Sequence, residues 1–333
     1  MLASRMETLA RDLYPGARRR GNLLRIGDVD GSPGESLAIN LAGARAGRWV
    51  DYASGEYGDA LDLVRAARHC DPGAALAWAR GWLGLDSGAP SSPRAAPLSA
   101  PSRSPPRVDP DSARRAKRAG GIFHAGVPLP GTPAEAYLRG RGIEISSLRS
   151  HGALRYLSHL MHSDAQRAFP AIVAAIVALD GTLIGVHRTW LAPDGRGGWG
   201  KAPVPHAKMS FGAVAGGTIR LSSGAERLRL PFASPSEEVV IGEGIETCLS
   251  IAGACPDLRV LCAVSLSNLG RVELPPQIRR VILAADNDEG LAARRGLARA
   301  IEAHRAAGRE VRVARSPIGK DFNDVAQAYA RPP

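Results

Sequence analysis

The 333 residues suffice for two or three domains, and a hydrophobic content of 44% excludes a chain that is disordered throughout. The formal net charge of +11 indicates a polyanionic partner. All of this excess precedes residue 237, because residues 237–333 hold 13 basic and 13 acidic side chains. The longest apolar run, Ala171–Leu179, is far shorter than the ~20 residues of a membrane-spanning helix, so we expect no membrane partner.

The four cysteines, Cys70, Cys248, Cys255 and Cys262, include no Cys-x-x-Cys pair. We therefore expect no zinc site. Unpaired thiols are typical of proteins in the reducing cytoplasm. The first 14 residues carry charges and contain no apolar signal core, so we expect a cytoplasmic location.

Residues 1–86 have the pattern of a small β-rich domain. A short helix is predicted at the start of the chain, and strands are predicted at Ser36–Leu41 and Arg48–Ala53. A helix is predicted over Ala60–His69, with Asp59 in position to cap its first turn, and another helix follows it.

Residues 87–112 are rich in Pro, Ser, Ala and Arg, which predicts a flexible linker. Residues 113–236 follow as a mixed α+β subdomain with a basic first helix. Its clearest feature is a hairpin, in which Ile172–Leu179 and Leu183–Trp190 flank a turn at Asp180 and Gly181.

The Gly-rich segment Gly195–Lys201 has the spacing of a phosphate-binding P-loop, but the motif is incomplete. Ala202 stands where the motif needs a Ser or Thr hydroxyl for Mg²⁺. Pro203 and Pro205 also prevent the helix that should begin there. This segment therefore does not encode an ATPase or helicase module.

Three acidic clusters organise residues 237–333. Glu243 follows the first of three strand-like runs, Asp286 and Asp288 follow the second, and the segment Lys320–Asp324 comes after the third. The three runs are Glu238–Ile241, Val281–Ala284 and Glu310–Val313. Helix-like segments follow the runs, which predicts parallel strands with crossover helices.

Ligands of an open parallel sheet bind beyond the carboxyl ends of the strands. Carboxylates that converge there repel each other unless a cation neutralises them. Hard cations such as Mg²⁺ take oxygen ligands and also bind the phosphates of substrates. The pattern therefore predicts a Mg²⁺ site for phosphoryl or nucleotidyl transfer at Glu243, Asp286 and Asp288.

This order of motifs, Glu-Gly, then Asp-x-Asp, then Lys-Asp-x-Asn-Asp, resembles the toprim domain over roughly residues 237–330. Bacterial replicative primases, type IA and type II topoisomerases and some nucleases carry that domain. The resemblance implies an α/β fold with a Rossmann-like parallel sheet and flanking helices over residues 237–333. Glu246 falls near an acidic position that is common in primase-type versions.

The preceding blocks resemble parts of primases. Residues 1–86 resemble the N-terminal zinc-binding domain in their strand pairs, but no Cys or His falls between residues 1 and 68, so the match is to a version without metal ligands. Residues 113–236 resemble the basic subdomain that precedes toprim in the primase-like proteins of phages, plasmids and mobile elements. In this resemblance Arg188, Lys201 and Lys208 either contact phosphate or lie on the surface.

The resemblance implies a primase-like nucleotidyltransferase that makes short RNA primers on single-stranded DNA from NTPs. A separately encoded replicative helicase is a candidate partner. Mg²⁺ or Mn²⁺ would be held by Asp286 and Asp288, with Glu243 completing the site or acting as the general base. Asp321 or Asp324 would contribute directly or through water. Lys320 would contact the triphosphate or remain an ordinary surface lysine.

Two alternatives remain open at this stage. A toprim nuclease would use the same carboxylates with water as the nucleophile. A non-catalytic DNA-binding accessory protein of a replication system would fit the absence of zinc ligands in residues 1–68.

Overall fold

The computed structural model describes residues 2–31, 34–35, 37–43, 46–51, 57–85, 110–288 and 290–330. Most of the predicted linker, residues 87–112, lies outside this set, as do the last residues of the strand predicted to end at Ala53. The chain divides into two compact units, Met1–Arg107 and Val108–Pro333.

The first unit is a five-stranded antiparallel sheet with strands in chain order, flanked by helices. The capping expected at Asp59 is confirmed, because its side chain accepts from the backbone N–H groups of Leu61 and Asp62. The Asp62 side chain in turn accepts from the Asp59 backbone N–H. The elements are α1 Met6–Leu13, β1 Arg18–Arg20, β2 Leu23–Ile26, β3 Leu37–Asn40, β4 Trp49–Asp51, β5 Tyr57–Gly58, α2 Ala60–Arg68 and α3 Pro72–Trp82.

The second unit begins with two helices and a sheet in the order β10-β8-β7-β6, to which β9 adds beside β8. The predicted hairpin is confirmed as the antiparallel pair β7–β8 and extends beyond the predicted bounds at the end away from the turn. The elements are α4 Pro110–His124, α5 Pro133–Gly140, β6 Leu154–His162, β7 Arg167–Val177, β8 Leu183–Pro193, β9 Trp199–Lys201 and β10 Lys208–Gly212.

The C-terminal part of this unit is a second sheet, in the order β11-β13-β12-β14-β15. The pairs β12–β13, β12–β14 and β14–β15 are parallel, as the strand–helix alternation predicts. The elements are β11 Ile219–Ser223, β12 Glu238–Gly242, α6 Ile245–Ala254, β13 Arg259–Cys262, α7 Leu266–Leu269, β14 Arg280–Ala285, α8 Leu291–Ala306, β15 Glu310–Arg315 and α9 Phe322–Ala330.

Strand β11 is antiparallel to β13 and forms the edge of the C-terminal sheet. It lies before residue 237, so the segment upstream of the acidic clusters supplies one strand of the sheet that carries them. Ile219 and Leu221 pack into the same core as Val240, Val260 and Ala284. The two sheets of this unit therefore share a continuous apolar core. No helix in the described part of the chain is long and apolar enough to cross a membrane.

Candidate active site

Glu243 lies directly after β12, where the chain turns into α6. Burial raises the pKa of its carboxyl group above the ordinary value, and the nearby Asp286 raises it further. The Leu266 backbone N–H partly offsets this effect. The Cys262 thiol donates to the Glu243 carbonyl oxygen at 3.1 Å, which ties this turn to the end of the neighbouring strand β13.

Asp286 follows β14, the strand beside β12. Burial raises the pKa of its carboxyl group, and so does the like charge of Asp321. Its Oδ1 atom is buried and has no hydrogen-bond partner within the described part of the chain. Such an oxygen carries a desolvation cost unless a cation or a donor reaches it.

Asn287, between the two aspartates of the Asp-x-Asp motif, brings the third acidic cluster to this edge of the sheet. Its backbone N–H donates to the Lys320 carbonyl oxygen at 2.7 Å. Its Nδ2 donates to the carbonyl oxygens of Ser316 and Gly319 at 2.9 and 3.0 Å. The sequence-based prediction gave Asn287 no role, although an amide inside an acidic motif is a signal that could have indicated one.

The carboxylates of Asp321 and Asp324 accept hydrogen bonds from backbone N–H groups of their own loop. Asp324 Oδ2 accepts from the backbone N–H of Lys320 at 2.6 Å. Asp321 Oδ1 accepts from the backbone N–H of Asn323 at 2.7 Å, at the start of α9. Asp321 nevertheless lies close enough to Asp286 to raise its pKa, and the exposed Asp288 raises it to a smaller extent.

Lys201 and Lys208 meet at the carboxylate of Glu246, in the first turn of α6. Lys208 Nζ lies 2.7 Å from Oε2, and Lys201 Nζ lies 3.4 Å from Oε1. The Tyr137 hydroxyl donates to Oε1 at 2.8 Å. Lys208 also lowers the pKa values of Glu243 and Asp286, so this basic cluster borders the carboxylates.

The pKa values of Glu246, Lys201 and His187 are all lowered, but for different reasons. Burial alone would raise the pKa of Glu246, but Lys208 and Lys201 outweigh it and hold the carboxyl group ionised. Burial lowers the pKa of Lys201, and Lys208 adds to that effect. Burial and Lys208 also lower the pKa of His187, to about 4, so this imidazole is neutral at pH 7.

The Arg188 side chain lies on the face of its sheet opposite to the face that carries His187 and Lys208. His187 pairs with Ser210 in the β8–β10 register, and Arg188 pairs with Met209 one position along, so the two side chains point to opposite faces. The Arg188 guanidinium stands 4.9 Å from the ring centre of Trp190 and 5.7 Å from that of Phe211. Any contact of Arg188 with nucleic acid would therefore lie away from the carboxylates.

Lys320 is exposed and lowers the pKa values of both Glu243 and Asp286, which places it near the same carboxylates. An open cleft of about 570 Å³ is lined by Asn287 and Asp288 together with two basic side chains, Arg294 and Arg315. The acidic group is therefore bordered by basic side chains on several sides.

Within the described residues, no three His, Cys, Asp or Glu side chains stand close enough together to hold a metal ion by themselves. This agrees with the way Mg²⁺ usually binds, through one or two carboxylates together with water and substrate phosphates. The donors present are hard oxygens, and Asp286 Oδ1 is a buried oxygen without a partner in the described chain. The residues therefore fit a Mg²⁺ ion that is completed by its substrate.

Two family matches cover most of the second unit. Residues 238–331 match the family described as Toprim domain. Residues 113–221 match a domain of unknown function, DUF7146. No curated protein matches the chain in sequence.

Several solved structures of primases show a distant likeness. The Aquifex aeolicus primase, comprising zinc-binding and RNA polymerase domains, is 15% identical over 98% of this chain and 83% of its own, with a TM-score of 0.42. The primase fragment of the bacteriophage T7 primase-helicase is 14% identical over 92% and 95%, at 0.41. The RNA polymerase domain of Mycobacterium tuberculosis primase is 15% identical over 66% and 81%, at 0.42.

Proposed function

Residues 238–331 are a toprim domain, and on that premise we propose that the chain is a primase-like nucleotidyltransferase that makes short RNA primers on single-stranded DNA. The observation that carries the proposal is the pair Glu243 and Asp286 at the ends of adjacent parallel strands. Burial raises the pKa of both carboxyl groups, and Asp286 raises that of Glu243 further. Asp286 also presents a buried oxygen without a partner in the described chain.

In this proposal Asp286 and Asp288 hold Mg²⁺, and Glu243 either completes the metal site or accepts the proton of the attacking 3′-hydroxyl group. When bound, the metal would neutralise the negative charge that develops on the transferred phosphate. A raised pKa makes Glu243 a better proton acceptor than an ordinary carboxylate. The O3′–phosphorus bond forms as pyrophosphate leaves, and the hydroxyl proton passes to Glu243 or to solvent.

Lys201, Lys208 and Lys320 would contact phosphate oxygens of the nucleotide or template. Lys208 and Lys320 lower the pKa values of Glu243 and Asp286, and Lys201 shares the Glu246 carboxylate with Lys208. At least part of each lysine side chain is accessible. Asp321 and Asp324 would act by shaping the loop that carries Lys320, because their oxygens already accept backbone N–H groups. The excess of positive charge before residue 237 supports a nucleic-acid template as the partner.

The test is a template-directed synthesis assay with single-stranded DNA, labelled NTPs and Mg²⁺ or Mn²⁺. Asp286→Asn should reduce the yield of labelled oligomers by about 100-fold or more, because several kcal/mol of charge stabilisation are lost. Glu243→Gln should also abolish most of the product. Asp257→Asn is the matched control, since Asp257 is an exposed carboxylate paired with Arg149 elsewhere in the unit.

The outcome separates the alternatives. Labelled oligomers from the wild type and the control, but not from Asp286→Asn, support the nucleotidyltransferase. Cleavage of the DNA without synthesis would replace it with a toprim nuclease that uses the same carboxylates. Intact DNA that is bound but neither extended nor cut would favour an accessory DNA-binding protein.

A further inference from the structure

Glu246 is the point at which three separate segments of the second unit meet. Its carboxylate accepts from Tyr137 of α5 and from Lys208 at the start of β10, and it forms an ion pair with Lys201 at the end of β9. Both oxygens are engaged, and the side chain is only 10% exposed. Glu246 therefore has little capacity left to bind a metal ion or a substrate directly.

The side chains of the two lysines are more exposed to solvent than the carboxylate with which they pair. Their side chains are 41% and 35% exposed, for Lys201 and Lys208 respectively. Each ammonium group has three N–H donors, of which the contact with Glu246 uses one. Two positive charges share one negative charge, so the cluster carries a net charge of +1 at an accessible position.

This position borders the proposed reaction centre. Lys208 lowers the pKa values of both Glu243 and Asp286, so its ammonium group lies within the electrostatic reach of these carboxylates. Without a counter-ion, Lys201 and Lys208 would repel each other, and their flexible stems would adopt many rotamers. A buried carboxylate between them offsets the repulsion and limits that freedom.

We propose that Glu246 is a positioning residue, which holds the ammonium groups of Lys201 and Lys208 at fixed points beside Glu243 and Asp286, where they bind phosphate oxygens of the substrate. The inference rests on the proposed function, because it assigns the lysines to the same reaction. It differs from two simpler roles of Glu246, which are to neutralise the lysines or only to join α6 to the preceding sheet.

The variant Glu246→Gln distinguishes these roles because it removes one negative charge and keeps the shape of the side chain. If Glu246 positions the lysines, kcat for oligomer synthesis should fall at least 10-fold. Binding of α,β-methylene ATP, measured by calorimetry, should be unchanged or tighter, because the cluster then carries one more positive charge. Glu246→Asp, which keeps the charge, should have an intermediate kcat.

Glu237→Gln is the matched control for loss of a buried carboxylate. Glu237 is also 10% exposed and pairs with Arg259 at 3.0 Å, at the other end of β12 from the carboxylates. It should leave kcat within twofold of the wild type. An equal loss of kcat in both variants would overturn the proposal in favour of a general structural role. Wild-type kcat in Glu246→Gln would overturn it as well.

A second measurement keeps this inference separate from the proposed function. Nitrogen-15 NMR of lysine ammonium groups should show two slowly exchanging signals, assigned with Lys201→Arg and Lys208→Arg, that disappear in Glu246→Gln and persist in Glu237→Gln. If the wild type makes no oligomers, the proposed function fails whatever the variants do. If the two ammonium signals are absent or are unaffected by Glu246→Gln, the positioning role fails even in an active enzyme.

Discussion

Glu243 and Glu246 stand three positions apart, yet the pKa values of their carboxyl groups shift in opposite directions. Burial and Asp286 raise that of Glu243, whereas two lysines overcome burial and lower that of Glu246. The difference comes from neighbours that are distant in sequence. One carboxylate is therefore suited to accept a proton or a cation, and the other to hold cations that the protein itself provides.

At the same scale, Asp286→Asn should stabilise the metal-free protein. The raised pKa of Asp286 means that its ionised form is disfavoured in the folded state. Its effect on the free energy of unfolding is therefore absent below the ordinary pKa and grows more destabilising as pH rises through the raised value. Relief of this cost should raise Tm, for which each 1 kcal/mol of stability corresponds to about 2–4 °C in a unit of this size.

Thermal unfolding in EDTA at pH 7 checks this prediction, with Asp257→Asn measured in parallel. The gain in Tm should diminish when both proteins are compared at pH 4, where a larger fraction of the wild-type Asp286 is protonated than at pH 7. A lower Tm for Asp286→Asn at pH 7 would show that the native structure tolerates the charge without cost.

The residues of the acidic site could be predicted from sequence because each follows a β-branched run and the rule for parallel sheets places all such ends at one edge. The partners of Glu246 could not. Lys208 and Tyr137 lie 38 and 109 positions from it in the chain, and no local pattern encodes those contacts. The same holds for Arg188, whose face of the sheet depends on the register of β8 with β10.

At the scale of elements, helix α9 and the loop before it depend on Asn323, which is fully buried. Its Nδ2 donates to the Arg141 carbonyl oxygen at 2.8 Å and to the Ser250 hydroxyl oxygen at 3.0 Å. These bonds join α9 to the end of α5 and to α6. The loop that carries Lys320 is thus anchored from behind by one amide.

Asn323→Ala should lower the free energy of unfolding by about 1–3 kcal/mol, because it leaves buried acceptors without a donor. Denaturant unfolding measures that loss, and hydrogen exchange should show faster exchange in residues 316–324. Gln327→Ala is the control, since Gln327 is half-buried on the same helix and, among the described residues, its side chain forms hydrogen bonds with Asn323 and Arg141. Equal losses in both variants would contradict a special role for Asn323.

The hairpin strands β7 and β8 and the parallel strands β12, β14 and β15 could be predicted because their apolar runs are bounded by turn residues. Strand β13 was missed, since Arg259–Cys262 is not followed by an acidic cluster of the kind that marks the ends of β12 and β14. The place of β11 at the edge of the C-terminal sheet was also missed. Its partner β13 is about 40 positions away, and a lone strand pattern does not state which sheet it joins.

At the scale of the whole molecule, charge is divided unevenly, with a net +11 before residue 237 and zero after it. Binding of single-stranded DNA should therefore depend strongly on salt. Affinity for oligo-dT should fall about tenfold or more between 50 and 200 mM salt if three or more phosphates are neutralised. Fluorescence anisotropy in EDTA measures this, and Asp286→Asn should behave like the wild type. An affinity that does not change with salt would contradict binding of the template by the basic side chains before residue 237.

The edge strand β11 has a consequence for how such proteins can change by recombination. A recombination event between residues 221 and 238 could join β11 to a foreign C-terminal segment. Ile219 and Leu221 would then pack against a core to which their shapes are not matched. An exchange that omitted β11 would leave β13 with an open edge, which invites pairing with other chains. The two segments are therefore expected to be inherited together, and substitutions in β11 and β13 should be correlated between related chains.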